Sequence, residues 1–374
     1  MAQSSMAAIA SQVHGRGLMA NKTVMIMAGG TGGHIFPALA VADELKQRGW
    51  QVIWLGAEGG METRLVPQHG YAIETVRISG MRKNGLKRWL SLPWMLTVAL
   101  VRTTVVILRH RPDIAVGFGG YTGFPGGLMS RLMWKPLVVH EQNSVAGLTN
   151  RLMSKIASRT LFAFPSAFAD QTGRVGNPVR AEIAALADPA TRFTGREGRL
   201  KLLVVGGSLG AKVLNEVIPQ ALALIDAVSR PEVVHQAGVK QIEALRANYA
   251  RAGVEADCRA FIDDMAAAYA NADLVICRAG ALTIAELAAA GAASILVPLP
   301  SAVDDHQTGN ARYLEQAGAA RLMPQAQLTP ATLAATLQEL SRAHCLEMAQ
   351  HARSLAIVDA AQRVADVCEA LTRE

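Results

Sequence analysis

Val24-Met25-Ile26-Met27-Ala28-Gly29-Gly30-Thr31-Gly32-Gly33-His34-Ile35-Phe36-Pro37-Ala38-Leu39-Ala40 runs from an apolar strand through a glycine-rich turn into a helix. Glycines let the backbone curl tightly and aim several N–H groups at one point. The helix start adds roughly half a positive charge there. Pro37 is placed in the first turn of the helix, where its missing N–H costs little. The combination describes an anion site, most often for phosphate, with a plain tight turn as the competing reading. It is not a Walker loop, because no Gly-Lys-Ser/Thr follows. It also fails the dinucleotide fingerprint, since Ile35 stands where the third glycine belongs. A second copy adds weight: Leu202-Leu203-Val204-Val205-Gly206-Gly207-Ser208-Leu209-Gly210-Ala211-Lys212 repeats strand, Gly-Gly-Ser and helix. The spacing is far too long for a solenoid repeat. It implies two similar α/β domains whose glycine loops face a shared cleft.

A chain of 374 residues with 51% apolar content can fill two cores. The four cysteines (Cys258, Cys277, Cys345, Cys368) are scattered without CxxC spacing, so neither a zinc site nor a disulfide framework is indicated, and a reducing cytoplasm fits. Residues 1–20 show no basic start followed by a long apolar core and are expected to be a disordered extension rather than a secretory signal. The net charge of +7 points to an anionic partner.

From Val76 to Pro112 there is no Asp or Glu, while Arg77, Arg82, Lys83, Lys87, Arg88, Arg102, Arg109 and Arg111 alternate with Leu86, Trp89, Leu90, Trp94 and Leu96. Basic residues beside Trp and Leu suit a helix lying in an anionic bilayer surface. Pro93 and Arg102 argue against a span. A core helix with a basic rim, or a nucleic-acid face, is the alternative. Gly119-Gly120-Tyr121-Thr122-Gly123 is a third glycine turn, either a ligand contact or a crowded strand–helix corner. His140-Glu141-Gln142-Asn143 ends a short strand, where ligands of open α/β sheets sit, with a helix-capping cluster as the other reading. Glu58 lies near the position of a ribose-binding acid but in a polar Glu-Gly-Gly run, and reads as a loop residue. Residues 183–199 read as a linker. In the second half strands and helices alternate, so both sheets are expected to be parallel and doubly wound.

Together, GGTGGHIFPALA (29–40), GFGGY (117–121), HEQN (140–143), GNPVR (176–180), GGSLGA (206–211), FIDDM (261–265), RAGALTIAE (278–286) and DDHQTGNA (304–311) closely resemble the MurG family of bacterial N-acetylglucosamine transferases, from about Lys22 to the C-terminus. Any one motif is weak; this set in this order is specific. The resemblance implies a GT-B fold. An N-terminal acceptor and membrane-facing domain would span 21–180, joined by a returning C-terminal helix near 358–374. A UDP-GlcNAc-binding domain would span 181–357. It implies transfer of GlcNAc from UDP-GlcNAc to the 4-hydroxyl of undecaprenyl-diphospho-muramoyl-pentapeptide (lipid I), at the cytoplasmic face of the inner membrane. The enzyme would work there in peptidoglycan synthesis, with other cell-wall and division proteins as candidate partners.

By the same resemblance Ile262 would meet uracil through its backbone, with Phe261 beside the ring. Ser208 and the turn Ala281-Leu282-Thr283 would bind the diphosphate, and Ile284 and Ala285 would belong to the same substrate-binding set. Glu286 would accept from the ribose hydroxyls, and Gln307 would contact the sugar. Thr31, Gly32, Gly33, Asn143 and Arg180 would complete the donor set, with acceptor diphosphate against the N-domain glycine turns. The family's second loop reads GGSQGA; Leu209 removes any side-chain contact from that position. No Asp-x-Asp stands ready for a divalent metal, so no metal or cofactor is expected.

Sugar transfer needs a base for the acceptor hydroxyl, and an imidazole, whose free pKa is ~6.5, is suitable. His34 is the first candidate, Glu141 the second and His306 a weaker third; binding acceptor phosphate or capping the helix is the competing role for His34. A lipid acceptor favours the membrane-surface reading of Leu86, Lys87, Arg88, Trp89 and Trp94, and no nucleic-acid partner is expected. Two other functions share these features: a UDP-GlcNAc 2-epimerase, which leaves the Trp- and Arg-rich stretch unexplained, and a membrane-held nucleotide sensor without turnover, which leaves His34 and HEQN unexplained. A NAD dehydrogenase is disfavoured by the failed fingerprint.

Overall fold

The apolar run that opens the chain is buried throughout as β1 (Thr23–Met27), as a strand covered on both faces of a parallel sheet must be. A computed structural model describes residues 22–78, 86–207 and 210–373, without the side chains of 86–92 and 303. The expected extension at 1–20 lies outside the described residues. The first sheet adds β2 (Gln51–Ala57), β3 (Ala72–Val76), β4 (Ile114–Gly117), β5 (Leu137–Glu141) and β6 (Arg159–Phe162) to β1, all parallel, in the order β3-β2-β1-β4-β5-β6. Its helices are α1 (Gly32–Gln47), α2 (Glu62–Gln68), α3 (Leu86–His110), α4 (Gly123–Leu132) and α5 (Leu148–Met153).

The second half carries α6 (Ala181–Ala184) and α7 (Pro189–Phe193), then β7 (Lys201–Val205), α8 (Lys212–Ala223), β8 (Glu232–Gln236), α9 (Ile242–Ala252), β9 (Asp257–Arg259), α10 (Met265–Asn271), β10 (Leu274–Cys277), α11 (Ala281–Ala290), β11 (Ser294–Leu296), α12 (His306–Glu315) and β12 (Ala320–Leu322). It closes with α13 (Pro330–Glu339), α14 (Arg342–Ser354) and α15 (Ala360–Leu371). Its sheet runs β12-β11-β10-β7-β8-β9, also parallel. Counted within each domain, both sheets follow the order 3-2-1-4-5-6. The chain reverses direction across each sheet between β1 and β4 and between β7 and β10, the crevice where open α/β sheets hold ligands. The glycine turns after β1, β4 and β7 and the Arg278-Ala279-Gly280 turn after β10 all fall there.

The last helix, α15, packs against α1 rather than on the second domain. Val364, Ala365 and Cys368 are buried in the core of the first sheet. Arg48 binds Asp366 at 2.6 Å and Glu369 at 3.4 Å, and the Lys22 ammonium donates to the Thr372 carbonyl at 3.0 Å.

Two expectations are corrected. Gly32 and Gly33 are already helical, so Pro37 lies inside α1 rather than in its first turn, on the buried side with Ile35, Ala38 and Leu39. Residues 183–199 are no loose linker. Asp188 caps α7 by accepting from the Ala190 N–H at 2.9 Å, Phe193 enters the second core, and Arg192 donates to the Gly291 carbonyl at 2.7 Å just past α11. Arg196 pairs with the buried Asp273 at 2.6 Å. Helices this short leave no periodicity in sequence, so burial alone reveals them.

Candidate active site

Four helices begin at the two crevices: α1, α4, α8 and α11. None receives a hydrogen bond from its N-cap side chain, and the N-cap residues Thr31, Thr122, Ala211 and Gly280 leave the first-turn N–H groups without a side-chain acceptor. By contrast, α13 and α14 start with complete capping boxes from Thr329 and Ser341. Helices α2, α9 and α15 are uncapped as well; at the crevices, unsatisfied N–H groups and the helix dipole together suit an anion. Helices α1 and α11 approach one another across the cleft.

The first glycine loop is held from below by Glu62, which the sequence reading missed. This fully buried carboxylate accepts from the Ala57 N–H at 2.9 Å and the Gly30 N–H at 3.1 Å. A Cβ on Gly29 would lie 2.2 Å from Glu62 Oε1, so that glycine is required by close approach. Gly30, at φ +91°, is required by its backbone angle. Thr31 and Gly33 are exposed and Gly32 half-buried at the head of α1. His34 follows, half-buried, its ring beside Gly119 of the third turn and its Nδ1 2.8 Å from Gln142 Oε1.

The HEQN segment is almost wholly inside the protein. His140 packs against Phe118 with ring centroids 5.3 Å apart, and burial lowers its pKa to about 4. Glu141, the second base candidate, has another job. It is 1% exposed, and its oxygens accept from the N–H groups of Asn143 and Gly147 and from the Asn143 and Asn150 amides at 2.8–3.2 Å. It braces the 141–150 loop and presents no oxygen to the cleft. Asn143 itself stays partly open.

Asn310 of DDHQTGNA ties this loop to the second domain. It accepts from the Ser144 N–H at 2.8 Å and donates to the Ala279 carbonyl at 3.1 Å. Asn177 of GNPVR donates to the carbonyls of Gln142 at 2.9 Å and Ala281 at 3.3 Å. Both amides are buried and join the two domains, a role that motif spacing does not announce. The His306 carbonyl accepts from the Ser144 hydroxyl at 3.1 Å.

On the second domain's side, a cavity of about 790 Å³ is lined by Gly206, Gly207, Gly210, Lys212, Arg278, Gly280, Thr283, Gln307 and Gln325. Ser208 and Leu209 lie outside the described residues. Gln307 Oε1 accepts from the Leu299 N–H at 3.0 Å. Arg278 donates to the Val297 and Pro298 carbonyls at 3.1 and 3.0 Å and to Gln325 at 2.8 Å, which stiffens the far wall. A second cavity of about 520 Å³ reaches Phe261, Ile262, Asp263 and Asp264. Ile262 is buried and Phe261 half-exposed, so the backbone of the first and the ring of the second are the groups offered.

In α11, Ala281 and Ile284 are buried and Leu282, Thr283 and Ala285 partly open. Glu286 is buried and takes Arg180 Nη2 at 2.9 Å and Nε at 3.2 Å on one oxygen, and the Tyr269 hydroxyl at 3.3 Å on the other. Burial raises its pKa, and Arg180 and Tyr269 pull it back. Among the described residues, no three His, Cys, Asp or Glu gather as metal ligands.

Residues 24–162 match the glycosyltransferase family 28 N-terminal domain and residues 201–364 its C-terminal domain. A protein of Aromatoleum aromaticum named UDP-N-acetylglucosamine–N-acetylmuramyl-(pentapeptide) pyrophosphoryl-undecaprenol N-acetylglucosamine transferase is 59% identical, over 94% of this chain and 98% of its own. The chain belongs to the MurG family of glycosyltransferase family 28. A Dechloromonas aromatica protein of the same name is 56% identical over 94% of this chain and 100% of its own. The crystal structure of Acinetobacter baumannii MurG is 42% identical and superposes with a TM-score of 0.83, over 93% of this chain and 99% of that one. The fold is therefore GT-B, two Rossmann-like domains facing a cleft, as the MurG motifs led us to expect.

Proposed function

We propose that the protein is an inverting transferase that moves GlcNAc from UDP-GlcNAc to the 4-hydroxyl of lipid I, making lipid II for peptidoglycan. The observation that carries the chemistry is a half-buried imidazole, His34, in the first turn of an uncapped helix that contacts a second uncapped helix across the cleft. The name borne by the relatives supports this donor and acceptor.

In this scheme the acceptor O4 attacks C1 of the donor sugar from the face opposite the diphosphate. The C1–O bond breaks as the new one forms, and UDP leaves with the bonding pair. The acceptor proton passes to His34 Nε2, and the α-donor becomes a β-link. UDP is a weakly basic leaving group, so the starts of α8 and α11 stabilise its developing charge without a general acid. Thr283 and the backbone of Ala281 and Leu282 sit at that start. Glu286 Oε2, lightly held by Tyr269, takes the ribose hydroxyls, while Arg180 stays paired on Oε1. Asn143 and Gln307 meet the sugar, and Thr31, Gly32 and Gly33 close the site from the first domain. The scheme uses no cofactor.

A lipid acceptor calls for a membrane-facing surface, and α3 offers one. Trp94, Val101, Val105 and Leu108 follow one helical face and are exposed, Trp94 to 73%, with Arg102 and Arg109 also exposed. Leu132 and Trp134 extend the apolar surface from the end of α4, which packs against α3. The side chains of Leu86, Lys87, Arg88 and Trp89 are outside the described residues. No described helix is long and apolar enough to cross a membrane. We assign peripheral attachment at the cytoplasmic face.

The test is UDP release from UDP-GlcNAc with and without a short-chain polyprenyl-diphospho-muramoyl-pentapeptide. Release only with acceptor, with a new disaccharide, is expected. His34→Ala should lower kcat by roughly 10²- to 10⁴-fold while UDP-GlcNAc still binds. Release without acceptor would replace the transferase by the epimerase reading.

A further inference from the structure

We infer that His140 and Gln142 are positioning residues that set the tautomer of His34, through a chain of hydrogen bonds anchored on the Gly176 carbonyl. The inference rests on His34 as the base. It follows from donor and acceptor capacity together with the burial of His140. The Gly176 carbonyl can only accept, and His140 Nε2 lies 2.9 Å from it, so Nε2 carries a proton. His140 is wholly buried and stays neutral near pH 7, because burial penalises the imidazolium more than the Gly176 hydrogen bond and the adjacent Glu141 charge favour it. Its Nδ1 is therefore a lone pair.

Gln142 reads that lone pair. One end of its amide lies 3.0 Å from His140 Nδ1 and 2.8 Å from the His140 carbonyl. Both neighbours are acceptors, so this end is the NH₂ and the other is the carbonyl oxygen. A flipped amide would set oxygen against two acceptors inside the protein, where repulsion is unscreened. The Gln142 oxygen is thus fixed 2.8 Å from His34 Nδ1, which must donate to it. In the neutral ring that leaves Nε2 as the lone pair, and it makes no hydrogen bond among the described residues. Gln142 is itself held, for it is 1% exposed and its backbone carbonyl accepts from the Asn177 amide at 2.9 Å.

The consequence is directional. A histidine side chain free in water prefers its proton on Nε2. The chain from Gly176 reverses this preference, so the nitrogen available to the acceptor hydroxyl is the basic one before substrate arrives. When Nε2 takes the acceptor proton, Nδ1–H is already bonded to a neutral amide oxygen, and that bond strengthens as the ring becomes charged. Glu141 takes no part, since its oxygens are spent on the 143–150 loop.

The experiment uses full-length protein labelled with ¹⁵N-histidine and two-bond ¹H–¹⁵N correlation spectra near pH 8. His34 is assigned by loss of its signals in His34→Gln. We expect His34 with its proton on Nδ1 and His140 with its proton on Nε2. In Gln142→Leu, His34 should shift to the Nε2-protonated form and kcat should fall roughly 10²-fold, with KM for UDP-GlcNAc changed less than about threefold. Gln142→Glu, protonated in this buried place, keeps an acceptor for Nδ1–H and an O–H donor toward His140, and should retain that tautomer and recover part of kcat. A wild-type His34 protonated on Nε2 overturns the inference even if every Gln142 variant misfolds. So does a folded Gln142→Leu with wild-type tautomer or kcat. Undiminished kcat in His34→Gln overturns the base reading instead, and leaves the tautomer signature standing.

Discussion

Glu62 shows how much a single buried side chain decides in this cleft. Both of its oxygens accept backbone N–H groups, one from the end of β2 and one from the glycine loop. Glu62→Gln preserves the shape but turns one acceptor into a donor that faces an N–H. A buried N–H is left unsatisfied, at a cost of about 1–3 kcal/mol. We expect a urea midpoint lowered accordingly and a reduced kcat, since the first turn of α1 carries His34. Wild-type stability and turnover in this variant would show that the loop holds its shape without the brace. In sequence Glu62 was one acid in a polar run, and nothing in its spacing marked it. Glu141 erred the other way: HEQN ends β5 beside the crevice, but which of its side chains faces the cleft depends on the path of residues 143–150. His34 was legible, because a histidine just after a glycine turn sits at a helix start by geometry alone.

Elements were legible in proportion to their burial. Strands β1, β4, β5, β7 and β10 are central and read as apolar runs. The edge strands β3, β6, β9 and β12 mix in Glu74, Arg159, Asp257 and Arg321, and the pattern of residues did not isolate them. The sequence shows a basic, acid-free stretch from Val76 to Pro112 whose membrane-facing apolar residues are sought among Leu86–Leu96. The structure continues the outward apolar face of α3 to Leu108. Exposed Val101, Val105 and Leu108 look like core in sequence, and only the position of the sheet shows which side they face. Trp94→Ser combined with Val105→Ser should reduce cosedimentation with anionic phospholipid vesicles several-fold. Each large apolar side chain that enters the bilayer interface contributes on the order of 1–2 kcal/mol. UDP-GlcNAc binding should not change. Vesicle binding equal to wild type would remove α3 as the membrane surface.

At the scale of the molecule, each domain carries a buried neutral histidine, His140 in the first and His235 in the second. Burial lowers their pKa values to about 4 and about 3. In the unfolded chain a histidine protonates near ~6.5. Between that value and about 4 the unfolded state therefore binds more protons, and stability falls as pH falls. The slope is about 1.4 kcal/mol per pH unit for each histidine. Unfolding by urea at pH 7.5 and 5.5 should show the loss, and His235→Gln should remove the second domain's share. A stability that is flat over this range would mean that neither ring stays neutral in the fold.

Two α/β domains, their parallel sheets, the glycine turns and the family are all written in the sequence. They rest on local rules: strand burial, glycine freedom and the order of motifs along the chain. The return of α15 to the first domain entered only through family resemblance, and its contacts with Arg48 and Lys22 span the length of the chain. The folding of residues 183–199 onto the second domain, the Glu62 brace, the Asn177 and Asn310 ties and the path from Gly176 to His34 were decided by tertiary structure. Each depends on groups far apart in the chain meeting at hydrogen-bond distance in a space closed to water. There an unmet donor or acceptor costs more than the bond gains, so the network must close on itself. Local sequence carries the elements, but only packing determines which polar groups are left to satisfy one another.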